Sequence, residues 1–364
     1  MPMRPVCHAV TVRVPATSAN LGSGFDTVGL ALDYHDELTF TLADDPADTA
    51  AHVVIHGEGE DTLPRDETHL VVSTFRRACA TFGLGRVGFT LEAWNRIPQA
   101  RGMGSSAEAI VAGIAAAAAF AQDGYLNRDA VFEMAARLEG HPDNVAPAVY
   151  GGLTVSWDME TAEGVGSVAI PGGEPLHGGF HTVNYPVDPQ VRAAVFVPDY
   201  ELSTEKARRA LPGELPYRDA VHNISRVGLL PAAMNPGMLV GSGAGTDFGT
   251  GSGTDAASAS ASGGRGADSG MAAQANALLY TATQDRLHQP YRAALMPPST
   301  ELIAMFRAKG YAAAVSGAGP CVLVLHYGDA RGAIDELAAR QLASGRWKVL
   351  HLPVNTAGVE VARS

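Results

Sequence analysis

Two glycines and two serines fall within the five residues Gly102-Met103-Gly104-Ser105-Ser106. They follow Pro98-Gln99-Ala100-Arg101 and precede an alanine-rich run. Glycine lets a backbone turn tightly and approach a ligand closely. A helix starting there would point unsatisfied N–H groups and its positive dipole end at the same spot, which suits a phosphate. The serine hydroxyls add donors, and one could ligate Mg²⁺. The spacing is not the Walker pattern, because no Gly-Lys-Ser/Thr follows at the required distance. A plain glycine turn with a serine cap is the alternative.

A second polar group is Glu139-Gly140-His141-Pro142-Asp143-Asn144, with four polar side chains in six residues at the end of a helical stretch. An acid near a helix C-terminus opposes the dipole. A cation would account for Glu139, since Mg²⁺ is typically held by one or two carboxylates plus substrate phosphates. The alternative has Glu139 solvated, Asp143 and Asn144 capping the next turn, and His141 packed. The same two readings apply to Thr17, Ser18, Asn20 and Asp26, which follow Pro15 and could simply satisfy turn backbone.

These groups need elements to position them. Val10–Val14 alternates and is β-branched, so it is expected as a strand that Pro15 ends. Further strands are expected near Asp36–Leu42, His52–His56, Gly88–Ala93, Leu153–Trp157, Ala193–Val197, Ala312–Val315 and Val322–His326. Helices are expected over Thr68–Phe82, Ser105–Ala121, Thr204–Ala210, Val221–Ala233, Pro298–Lys309 and Asp329–Ala343. Another runs from an Asn127 cap to Gly140. Strands and helices mix without strict alternation, which favours α+β. A division into residues 1–165 and 166–364 is expected. Within the second part, 241–270 contains ten glycines, six serines and six alanines, and reads as a surface insertion that cannot build a core.

The chain has 364 residues, 46% of them hydrophobic, and a net charge of −12. No basic stripe offsets that charge, which argues against nucleic acid as the main ligand. The longest apolar run, Ala109–Ala121, is shorter than the ~20 residues that span a bilayer. No secretory signal is read at the N-terminus. Cys7, Cys79 and Cys321 form no CxxC pair and are expected as reduced thiols in a cytoplasmic protein.

Taken in order, Val14–Gly24, Pro98–Ala107 and Ala314–Pro320 resemble the three motifs of the GHMP small-molecule kinases. Within that superfamily the closest resemblance is to the homoserine kinases. It is carried by Pro15–Gly22 with Gly24-Phe25-Asp26, by Asp143–Ala148 with Gly151-Gly152, and by Ser316-Gly317-Ala318-Gly319-Pro320. The likeness spans about residues 10–362 apart from 241–270.

The resemblance implies an N-terminal ribosomal-protein-S5-like half, a C-terminal ferredoxin-like half, and a homodimer. It implies ATP-dependent phosphorylation of the L-homoserine hydroxyl, a step of threonine biosynthesis. Arg101, Gly102, Met103, Gly104, Ser105 and Ser106 would wrap the ATP phosphates, with Gly317 and Gly319 closing the site. Ser106 and Glu139 would hold Mg²⁺. Asn20, Asp26, His141, Arg208 and Arg292 would meet the amino acid, and the catalytic candidates would be Asp143, at the position of a proposed base in related kinases, and Asn144 as an alternative polar contact. An acid suits an ammonium group and two arginines suit a carboxylate. Mevalonate lacks the first group and galactose lacks both. Three departures stand out: Ser23 where proline is common, the 241–270 insertion, and Glu108 in the first turn after the phosphate loop, where phosphates would repel it if it points inward.

Overall fold

A computed structural model describes residues 3–45, 47–162, 165–237 and 264–364, with side chains described from residue 270 onward in the last stretch. The part of the expected insertion at 241–263 lies outside the described residues. Residues 264–270, also assigned to it, begin a 19-residue helix.

The first layer is a seven-stranded sheet. Its strands are β1 (Ala9–Asn20), β2 (Gly24–Leu42), β3 (Ala51–Gly57), β4 (Phe89–Asn95), β5 (Leu153–Met159), β8 (Gly179–Tyr185) and β13 (Glu360–Arg363). The order is β13-β1-β2-β4-β3, with β5 on β2 and β8 on β5. β8 and β13 come from beyond residue 165, so the sheet is completed by late parts of the chain. A small hairpin of β6 (Ser167–Val168) and β7 (Leu176–His177) precedes β8.

Pro15 does not end β1. The strand runs on to Asn20 with a register shift between Pro15 and Ala16, where the partner jumps from His35 to Leu32. A bulge is where a residue without an N–H is tolerated in a ladder.

Four helices serve this sheet: α1 (Leu70–Thr81), α2 (Ser105–Ala121), α3 (Arg128–Glu139) and α4 (Val145–Tyr150). α2 begins and ends as expected, and alanine keeps it thin enough to be buried on nearly every side. A Cβ on its Gly113 would press on the α1 backbone at Val71 and Phe75. Asn127 Oδ1 accepts from Ala130 N–H at 3.0 Å, and Gly140 closes α3 at φ +83°.

The second layer is a four-stranded antiparallel sheet of β9 (Val191–Pro198), β10 (Ala312–Val315), β11 (Val322–Tyr327) and β12 (Trp347–Pro353) in the order β10-β11-β9-β12. This is the ferredoxin-like arrangement. α5 (Thr204–Arg209), α6 (Tyr217–Val227), α7 (Leu230–Met234), α8 (Gly264–Ala282), α9 (Gln289–Arg292) and α10 (Pro297–Ala308) lie between β9 and β10 in sequence. α11 (Arg331–Leu337) and α12 (Ala339–Ala343) precede β12. The helix expected over Val221–Ala233 is two helices, because Gly228 ends the first and Pro231 opens the second. The one expected over Asp329–Ala343 is also divided, at Ala338.

Alternation along β9 divides the core. Ala193, Val195 and Val197 join α7, α8 and the inner ends of β1 and β2, while Ala194 and Phe196 join α10 and α11. The first of these clusters welds the two sheets together. The turns at the ends of β1, α2 and β10 therefore meet.

Candidate active site

The phosphate loop is fixed from both halves of the molecule. Gly102 and Gly104 have φ of +82° and +75°. A Cβ on Gly102 would strike Ser316 O, and one on Gly104 would strike Thr17 Oγ1. Ser316, fully buried, donates its Oγ proton toward Gly102 O (2.6 Å) and Ser18 Oγ (2.8 Å). Thr17 N–H donates to Met103 O at 3.1 Å, and its hydroxyl to Asn144 Oδ1 at 2.8 Å. Gly104 itself caps α2, leaving the N–H groups of the first turn turned toward the cavity.

That cavity is about 330 Å³, and its wall contains Asn20, Asp26, Gly102, Gly104, Ser105, Ser106, Glu139, His141, Asp143, Asn144, Arg208, Arg292 and Gly317. Thirteen expected site residues, drawn from across the sequence, thus converge. Three do not line it. Arg101 turns away and donates to Pro198 O and Gln99 O. The Met103 side chain is fully buried in the core between the sheets. Gly319 stands behind Gly317, its N–H closing the turn on Ser316 O at 2.8 Å. Sequence reasoning did not assign Thr17, Ala100, Leu202, Ser203 or Thr204 to the site. The last four line the cavity. Ser203 caps α5 by accepting from Lys206 N–H, a signal that Ser-Thr-Glu before a helix carries in the sequence.

Ser106 Oγ donates to Glu139 Oε2 at 2.8 Å, so a hydroxyl and a carboxylate from α2 and α3 share one point beside the loop. Two oxygen donors with open surroundings suit a hard cation that takes its remaining ligands from phosphate and water. Among the described residues no group of three or more His, Cys, Asp or Glu clusters as a metal cage.

The amino-acid end differs from expectation in one respect. Asp26 and Arg208 were expected at opposite poles of the substrate, but they form a bidentate pair with both bonds at 2.9 Å. Asp26 sits at φ +57° and Asn20 at φ +72°, a region asparagine and aspartate tolerate better than most. Asn20 holds the turn by accepting from Asp26 N–H (2.9 Å) and donating to Gly317 O (2.8 Å). Arg292 is 2% exposed and reaches Ala207 O and His288 Nδ1, with its guanidinium 5.1 Å above Phe25. Burial lowers its pKa and the nearby Asp26 opposes the shift.

Asp143 is buried, with Oδ1 3.2 Å from His141 Nδ1 and 3.3 Å from Asn144 Nδ2. That contact raises the His141 pKa against the opposing effect of burial. Glu108 points away from the phosphates. It is 4% exposed and hydrogen-bonds to buried Asp36, whose Oδ1 accepts from Arg96 and Ile97 N–H just ahead of the loop. Desolvation pushes both carboxyls up, so the pair shares a proton rather than presenting two charges.

Family models describing the GHMP kinases N-terminal domain and the GHMP kinases C-terminal domain match residues 69–152 and 268–343. The chain is 41% identical over 357 residues to a homoserine kinase of Clavibacter michiganensis subsp. michiganensis, covering 97% of this chain and 93% of the relative. It is 39% identical over 359 residues to one of Leifsonia xyli subsp. xyli, covering 98% and 93%. The crystal structure of a homoserine kinase from Cytophaga hutchinsonii shares the fold, with a TM-score of 0.72 at 23% identity and all of both chains covered.

Proposed function

We propose residue roles from the premise that the chain belongs to the homoserine kinase family of GHMP kinases. The reaction moves the γ-phosphoryl group of ATP to the side-chain hydroxyl of L-homoserine, giving O-phospho-L-homoserine and ADP. One observation carries the assignment of sites: the phosphate loop, the Ser106–Glu139 pair and the Asp26, Arg208 and Arg292 charges all wall a single cavity.

Backbone N–H groups of Gly102–Ser106 and the α2 N-terminus cradle the triphosphate. Ser106 and Glu139 would hold Mg²⁺, which would neutralise charge on the phosphates. Arg208 and Arg292 receive the substrate carboxylate. Asp26, freed in part from Arg208, receives the ammonium group, with Asn20 and His141 beside it. Asp143 and Asn144 orient the hydroxyl for in-line attack. Phosphoryl transfer is mainly positioning and electrostatics, so a buried carboxylate that accepts the hydroxyl proton's hydrogen bond suffices. The Gly317 turn supports Asn20 and, through Ser316, the loop. No helix among the described residues is long and apolar enough to cross a membrane. A cytoplasmic homodimer is the assembly we propose, on family resemblance and on the three free cysteines.

The test is ADP release with Mg²⁺ and ATP across L-homoserine, D-homoserine, L-serine, mevalonate, shikimate and galactose. Turnover confined to L-homoserine is the expected result. Turnover on a different alcohol would remove the substrate assignment and keep the phosphate site.

A further inference from the structure

A second cavity, of about 600 Å³, lies beside α9 and shares no wall residue with the first. Arg226, Arg286 and Arg307 line it. The chain as a whole carries −12, so three arginines around one cavity are a local concentration of positive charge.

Arg307 is the best placed of them. Its guanidinium donates only to neutral oxygens, Thr283 Oγ1 (3.2 Å), Ala313 O (2.8 Å) and Tyr280 O (2.8 Å), and lies 4.5 Å over the Tyr280 ring. Arg226 is likewise held by Gln284 Oε1 and Ser225 Oγ. Among the described residues neither has a carboxylate within ion-pair distance. Arg286 is paired with Asp219 at 3.2 Å. The only acid on the wall is Asp285, and its oxygens already accept from Asn223, Leu287, His288 and Gln289. Two guanidinium groups held by neutral partners thus line a cavity whose one acid among the described residues, Asp285, is already engaged by four donors. Such a fork suits phosphate or carboxylate oxygens.

The cavity touches the active site through backbone. Gln289 Oε1 accepts from Val315 N–H at 2.8 Å, one residue before the Ser316 turn, and Gln289 shares α9 with Arg292. Thr283 lies so close to Gly22 that a Cβ there would collide with Thr283 O, and Gly22 belongs to the turn between Asn20 and Asp26. We propose that this cavity binds a small metabolite bearing an oxyanion, phosphate or carboxylate, and that its occupancy changes affinity for the amino-acid substrate. The inference goes beyond the catalytic reading and requires only that the two cavities have coupled states.

The experiment measures Tm of the full chain with sodium phosphate or sodium acetate against sodium chloride at equal ionic strength. A non-hydrolysable ATP analogue, Mg²⁺ and L-homoserine are present to fill the active site. At tenfold excess over Kd, one oxyanion raises Tm by about 2 °C. It also shifts KM for L-homoserine by about fivefold. Phosphate protecting alone identifies a phosphorylated ligand, and acetate protecting alone a carboxylate. Arg226→Gln and Arg307→Gln abolish both effects, and Arg226→Gln leaves turnover without oxyanion unchanged. If Arg307→Gln does not fold, Arg226→Gln decides, since its side chain bonds only to Gln284 and Ser225. Absence of any oxyanion-specific shift, or a shift retained in Arg226→Gln, overturns the site. A shift in Tm without a change in KM overturns the coupling.

Discussion

Asp26 and Arg208 are both about one-third exposed, in a geometry that favours bidentate bonding. An ion pair so open to water adds little to stability. The role proposed for it is to keep two opposite charges aimed at a substrate that carries both. Asp26→Asn is therefore expected to leave Tm within about 1 °C of the parent, a change equivalent to ~1 kcal/mol or less, while raising KM for L-homoserine at least tenfold. Arg208→Lys should do the same, since a point charge cannot replace the planar fork. Steady-state kinetics with a melting curve on each variant check this, and an unchanged KM in both would remove the pair from the substrate site. The motif around Asn20 and Asp26 was legible in the sequence because its residue types are confined to a few positions. The pairing was not, because Arg208 lies 182 residues from Asp26 and only folding shows that their charges meet.

At the scale of elements, α2 and its loop were the most legible part. Alanine propensity, two glycines and a following apolar run are all local signals. Local signals also gave the Asn127 cap and the Gly140 stop. They failed where the answer lay elsewhere in the chain. Pro15 looks like a terminator until β2 supplies a bulge for it. Glu108 looks like a hazard to ATP until Asp36, on β2, takes its hydrogen bond. Neither β12 nor β13 was expected from the sequence: burial along β12 does not alternate, and β13 is only four residues long and pairs with the open edge of β1. The loop itself allows a sharp prediction. Gly104→Ala must hold alanine at φ +75° and push its Cβ into Thr17 Oγ1, which links the loop to Asn144. Displacing a positioned group by about 1 Å costs on the order of 10²-fold. The expected outcome is a loss of that order in kcat/KM for ATP with the circular-dichroism spectrum retained. Near-parental kinetics would mean that the loop is not the phosphate site.

The whole molecule responds to pH through groups the fold has buried. His35, His69, His288 and His326 are each less than 10% exposed, and desolvation lowers the pKa of each below the usual 6.5. For His69 burial is the cause, and among the described residues neither ring nitrogen has a hydrogen-bond partner to offset it. His288 is held neutral between Gly22 O and Arg292. Such a histidine takes a proton more readily in the unfolded chain. Its contribution to stability is whole above about 6.5 and is lost as pH falls through that value toward the depressed folded pKa. His141 and Glu108 act in the opposite sense, because Asp143 raises the pKa of the first and burial that of the second, but they are two groups against four. Asp36, raised to about 6, also favours acid, yet only below that pH. Tm is therefore expected to fall between pH 7.5 and 6, and below 6 to fall less steeply than the histidines alone would give, as the Asp36–Glu108 pair takes its second proton. His69→Leu removes one desolvated ring without touching the active site, so it should melt at or above the parent temperature at pH 7.5 and show a shallower fall toward pH 6. Calorimetry across that range decides: a parent Tm that rises on acidification would mean that the raised groups outweigh the buried imidazoles.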